Sequence, residues 1–213
     1  MGGMTTAIRQ SLLSEPSLGG QVLVGWSLDQ YHELIKTGGI PEDSRVELID
    51  GLLIWKDRAK LGGEFMTIGD RHRMTTLRLS QLASHFSGEG CYLQTQLPIA
   101  IPPNHEPEPD ASIIRGRIDD YVDRVPGPGD TIAVIEVSDS SLHRDLFVKL
   151  PIYATSGIPQ YIVINLQDDV ALLFSEPGVG TYHRKSVLER DAMLELPTGT
   201  ARRVQIALAT LLG

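Results

Sequence analysis

The chain of 213 residues has little of several things, and each shortage excludes a class of protein. It has one cysteine, Cys91, so it can form no intrachain disulfide and no thiolate zinc cluster. That usage fits a reducing compartment, and a cytoplasmic location is expected. It has no apolar run near the roughly 18 residues of a membrane span, so no membrane partner is expected. No charged region followed by an apolar one opens the chain, so no signal peptide is read. Basic residues are outnumbered, 19 Lys and Arg against 27 Asp and Glu, for a net charge of −8. This argues against coating nucleic acid by bulk electrostatics, though a local basic groove is compatible with it. Aromatics make up 6% and charged residues 22%, and the 41% apolar content is that of an ordinary globular protein able to bury a full core.

What is present is organised around Thr131–Asn165. Thr131–Val137 and Gln160–Asn165 are short apolar runs rich in β-branched residues, which predict buried strands. Between them a helical pattern runs to Gly157, which makes a βαβ unit with a right-handed crossover. Pro151 lies inside that helix, and a kink is expected near Phe147. Two residues resist a purely structural reading: Glu136 inside the first strand and Lys149 on the helix. A buried carboxylate needs a cation nearby. Lys149 could supply it as a plain ion pair, or could pair with Asp145 at i, i+4 spacing. Tyr153, next along that face, reads as core.

Upstream, residues 1–20 are Ser, Gly and Pro rich and read as a mobile arm. Ser27-Leu28-Asp29-Gln30 is a capping box that opens a helix from Leu28 to Lys36, stopped by Gly38-Gly39. Arg45–Trp55 carries Asp50-Gly51 between two apolar arms and predicts a β-hairpin with Glu47 on its first arm. Residues 56–67 read as a loop. Asp70–Phe86 is helical, with a stripe of Leu79, Leu82, Ala83 and Phe86 and with His72 on the same side near its start. Strands are expected over Tyr92–Ile101, Asp110–Ile114, Val170–Ser175, Tyr182–Leu188 and Met193–Leu196, and the apolar tail Val204–Leu212 fits a helix or a strand. The expected architecture is α/β: one domain over 21–213 with a mixed β-sheet core flanked by helices, preceded by an N-terminal helix and hairpin.

Asp110 opens one strand, and Glu136 lies near the C-terminal end of the next, where open α/β sheets place their sites. Two carboxylates converging in a low-dielectric place repel, and a divalent cation relieves that conflict. Magnesium takes oxygen ligands and typically only one or two protein carboxylates. A nearby lysine can stabilise charge building on a phosphate under attack by water.

Pro109-Asp110, then Glu136 in a strand, then a lysine resembles the PD-(D/E)XK nuclease superfamily. The usual lysine position, two residues after the acid, is Ser138 here. The longer run Ile135-Glu136-Val137-Ser138, Asp145, Lys149, Tyr153-Ala154, Gly157-Ile158-Pro159 and Tyr161 is similar to one branch, the Uma-two family of bacterial endonucleases, long catalogued as a domain of unknown function. In that branch the lysine has moved onto the following helix. The hairpin Val46–Gly51 with Glu47, and His72 at a helix start, match as well, so the resemblance covers about Leu28 to Phe174. The chain departs from the family at Gln160-Tyr161-Ile162, where Glu-Tyr-Trp is frequent, and at Asp139, where Pro is frequent; neither removes a metal ligand. The resemblance implies a restriction-endonuclease-like fold and a magnesium- or manganese-dependent endonuclease acting on nucleic acid, with DNA favoured. It implies Asp110 and Glu136 as metal ligands, Glu47 as an aid to metal or water, Lys149 as the group that orients water or stabilises the phosphate, and His72 at the site. A homodimer is also expected from it, since two strands call for two sites. The alternative is a module that keeps the fold without catalysis and binds nucleic acid or a protein.

Overall fold

The structure, a computed structural model, describes residues 24–41, 44, 46–55 and 69–213. The arm expected over 1–20 and the loop expected over 56–67 lie outside the described residues. The chain forms two compact units, Met1–Met66 with Ala100–Pro107, and Thr67–Ile99 with Glu108–Gly213.

The first unit contains α1 (Leu28–Lys36) and the strands β1 (Val46–Ile49) and β2 (Leu52–Trp55). The capping box forms as the sequence predicts. The Gln30 amide donates to Ser27 Oγ at 3.2 Å, and the Ser27 amide donates to Gln30 Oε1 at 2.9 Å. Gly38 follows the helix in the left-handed region with φ +76°, which costs glycine nothing. Asp50 and Gly51 both have positive φ, as a type I′ turn requires, and set the antiparallel register Glu47 to Ile54. Val46 and Leu48 pack with Leu28, Tyr31 and Ile40, and the Tyr31 hydroxyl donates to the Val46 carbonyl at 2.8 Å.

The second unit is built on a six-stranded mixed sheet in the order β3-β4-β5-β6-β7-β8. The strands are β3 (Cys91–Thr95), β4 (Ala111–Arg115), β5 (Thr131–Ser138), β6 (Gln160–Asn165), β7 (Val170–Gly178) and β8 (Thr181–Leu188). Only β5 and β6 pair in parallel; the other pairs are antiparallel. One face, with Ala111, Ile113, Ile135, Val137, Ile162 and Ile164, buries against α2 (Asp70–Gln81) and the 3-10 turn Leu82–Phe86 that extends it. The same core takes in the hairpin β9 (Met193–Pro197) and β10 (Arg203–Ala207). The connection from β5 to β6 runs through α3 (Leu142–Arg144), a π-helical turn (Asp145–Lys149) and α4 (Leu150–Thr155).

Several expectations need correction. The stripe on α2 holds at Leu79, Leu82 and Phe86, but Ala83 is exposed, because the helix tightens to 3-10 geometry there and turns that residue outward. The strand expected over Tyr92–Ile101 stops at Thr95, where Gln96 takes a positive φ of 53° and leaves the ladder. Near Phe147, where a kink is expected, the helix forms a π turn just ahead of Pro151. The tail is both alternatives in sequence, strand β10 and then α5 (Leu208–Leu212). No helix among the described residues is long and apolar enough to cross a membrane.

Candidate active site

The β4–β5 pairing decides the site. Ala111 lies opposite Ile135 and Ser112 opposite Val134. Continuing that register by one residue sets Asp110, just ahead of β4, against Glu136. Directly opposed residues of an antiparallel pair put their side chains on one face about 5 Å apart. The observed bonds agree: Asp110 Oδ2 accepts from the Val137 amide at 2.8 Å, one residue past Glu136. The register shift in this pair falls between Ile113 and Ile114, beyond the carboxylates.

Glu136 is 3% exposed and Lys149 is 1% exposed. The Lys149 ammonium donates to Glu136 Oε1 at 2.8 Å, and the Tyr153 hydroxyl donates to the same oxygen at 3.1 Å. The crossover helix therefore delivers two donors, four residues apart, to one carboxylate oxygen. From the start of α2, His72 Nε2 comes within 3.2 Å of Asp110 Oδ2. The hydrogen bond to Asp110 raises the proton affinity of His72 above the ordinary imidazole value against the opposing effect of burial, and the charges of Asp110, Glu136 and Asp145 add to it. Burial pushes the Asp110 carboxyl up. The His72 hydrogen bond and charge, the Val137 amide and the Lys149 charge together outweigh it and hold the group below the usual carboxylate range. Asp110, Glu136, Lys149 and His72 are thus brought together within the second unit.

Glu47 belongs to the first unit. It is fully buried on β1.

Sequence reasoning undervalued two residues. Tyr153 reads as core and is wholly buried, but its hydroxyl reaches Glu136. Asp145 reads as a helix-face partner of Lys149, yet its Oδ2 accepts from Ser138 and Ser141, each at 2.6 Å. The signal for Tyr153 was its place one turn beyond Lys149. The signal for Asp145 was the pair of serines just upstream.

The donor set fits magnesium or manganese better than zinc. It offers carboxylate oxygens and no thiolate, and two carboxylates are as many as magnesium usually takes from protein. Among the described residues, no group of three or more His, Cys, Asp or Glu side chains is arranged to hold a metal ion. An ion at Asp110 and Glu136 would complete its shell with water.

A family model, Uma2, described as "Putative restriction endonuclease", matches residues 28–209. The chain belongs to this family. The fold is shared with a solved structure titled as a putative nuclease belonging to DUF820 from Anabaena variabilis ATCC 29413. The two match with a TM-score of 0.61 at 15% identity, over 87% of this chain and 97% of that one. None of the curated proteins matches the chain. The Uma2 membership supports a nuclease function, and with it the binding of nucleic acid.

Proposed function

We propose that this Uma2 protein is a metal-dependent endonuclease that hydrolyses phosphodiester bonds, with DNA as the favoured substrate. The reading takes residues 21–213 as one restriction-endonuclease-like domain. One observation carries it: Asp110, just ahead of β4, accepts from the Val137 amide at 2.8 Å next to Glu136 on β5, and the Lys149 ammonium lies 2.8 Å from Glu136. Asp110 and Glu136 are the groups that would hold magnesium or manganese. A bound divalent ion supplies positive charge that acidifies water and offsets the charge of the phosphate.

The protein's own groups divide the remaining work. Lys149 orients water or neutralises charge that develops on the phosphate oxygens, and it is held where it is needed before substrate arrives. Tyr153 shares the Glu136 oxygen with Lys149 and fixes the carboxylate's orientation. His72 holds a proton beside Asp110, and Nδ1 is buried with no hydrogen-bond partner among the described residues. On this reading its proton serves a departing oxygen. Glu47 assists at the metal or water.

The second reading, a module that binds without cutting, draws on the same ion pair. Lys149 and Tyr153 already satisfy one Glu136 oxygen without a metal. The deciding experiment incubates the purified chain with duplex DNA, single-stranded DNA and RNA, with magnesium, manganese or a chelator. Cleavage that needs metal and disappears in Asp110→Asn, Glu136→Gln and Lys149→Ala supports the endonuclease. No cleavage of any substrate, with no metal-dependent rise in melting temperature, overturns it in favour of the binding module.

A further inference from the structure

The crossover helix departs from α geometry at one turn, Asp145–Lys149, and the residue that opens it accepts four hydrogen bonds. Asp145 is 1% exposed. Its Oδ2 accepts from the hydroxyl of Ser138, the last residue of β5, and from that of Ser141 at the start of the crossover. Its carbonyl accepts from the Leu150 amide, five residues on, and from the Tyr161 hydroxyl of β6 at 3.1 Å. The Tyr161 phenol is pushed well above its ordinary value by burial and by the charges of Glu136 and Asp145, so it stays a neutral donor. One residue therefore ties β5, β6 and the crossover helix together.

The strand and the helix tied in this way carry the two halves of the site. Ser138 is two residues past Glu136 on the same face of β5, and Lys149 closes the π turn that Asp145 opens. A π turn adds a residue to one helical turn and re-aims the side chains beyond it, and such turns recur at functional sites. Pro151 favours the departure here, because it has no amide proton to donate to an α-type bond with Phe147.

We propose that Asp145 is a positioning residue: it anchors the π turn to the end of β5 and so holds the Lys149 ammonium on Glu136. The placement of Lys149 stands on geometry alone; its consequence for cleavage rests on the endonuclease reading.

The test uses the full chain with Asp145→Ala, Asp145→Asn and Ser138→Ala. Acetylation of Lys149 by acetic anhydride is followed by peptide mass spectrometry, relative to the exposed Lys36 and well below each variant's melting temperature. In the parent, Lys149 reacts slowly. Asp145→Ala and Ser138→Ala release the turn and speed its acetylation by about tenfold or more, because the local opening no longer breaks those bonds. Asp145→Asn keeps an acceptor oxygen for the serines and keeps Lys149 protected. In a cleavage assay, Asp145→Ala lowers kcat by about a hundredfold with KM little changed, as misplacing a catalytic group does. If the folded alanine variants protect Lys149 as well as the parent does, the proposal is overturned, even where their melting temperature falls. If Asp145→Ala does not fold, Ser138→Ala decides. A parent that cuts nothing retires the endonuclease reading, and the acetylation rates still settle the role of Asp145.

Discussion

Lys149 Nζ and Glu136 Oε1 lie 2.8 Å apart with both side chains almost entirely buried. Such a pair is held together less by its net energy than by what happens when one member is lost. Removing either charge leaves the other in a low-dielectric place without its partner. In the metal-free protein, Glu136→Gln and Lys149→Met should each lose about 3–5 kcal/mol of unfolding free energy. The double variant should recover most of that loss, since the two changes are coupled. Urea unfolding of the four proteins measures the cycle, and strictly additive losses would show that the ion pair contributes nothing to stability.

Tyr153→Phe deletes one hydroxyl and no packing volume. The loss should be about 1 kcal/mol, the net worth of one buried hydrogen bond. If Tyr153 also orients Glu136, metal-supported cleavage should fall further than stability does. A variant with parental stability and parental turnover would return Tyr153 to the core.

Two histidines should titrate in opposite directions in the metal-free protein. The hydrogen bond and charge of Asp110 raise the affinity of His72 for its proton, whereas burial lowers that of His105, whose Nδ1 accepts the Asp50 amide at 2.9 Å. Linkage sets the signs. The His72 contribution to stability is fully present below its unfolded value of 6.5 and is lost as pH rises through its higher folded value. The His105 contribution is present above 6.5 and is lost as pH falls through its lower folded value. Asp110, held below its ordinary 3.8, adds stability that disappears only as pH falls through that lower value. Imidazole resonances followed by NMR should show His72 titrating above His105; the reverse order contradicts both environments.

Magnesium should stabilise the folded chain, because a ligand that binds only the native state must. At a hundredfold excess over its dissociation constant, the gain is about 2.7 kcal/mol. Asp110→Asn should abolish the metal-induced rise in melting temperature. A rise of parental size in that variant would place the ion elsewhere.

Glu47 is fully buried on β1. Glu47→Gln keeps its shape and removes its charge. On the endonuclease reading, the variant stays folded and loses most of its metal-dependent cleavage. Parental turnover in a folded Glu47→Gln would leave the residue a structural part of the first unit.

Local structure was legible in the sequence wherever a short-range rule had no competitor. The Ser27 to Gln30 box, the Asp50-Gly51 turn and the end of the crossover at Gly157 each depend on a few adjacent residues. So did the strands β5 and β6, whose continuous β-branched runs suit burial on both faces. The strand expected beyond Thr95 failed because the apolar alternation of Leu97, Ile99 and Ile101 persists after the backbone has turned at Gln96.

The sequence by itself determined which residues could carry the chemistry: a carboxylate at the head of one strand, another inside the next, and a lysine on the crossover helix. Only the tertiary structure decided their partners. The β4–β5 register brings Asp110, just ahead of β4, beside Glu136, and a slip of one residue in a pleated pair exchanges the two faces. The π turn aims Lys149, because spacing along an ideal helix takes no account of a residue added ahead of Pro151. The roles of Tyr153 and Asp145 depend on hydrogen bonds across the fold, to Glu136, Ser138 and Tyr161, and such bonds leave no periodic trace in the chain.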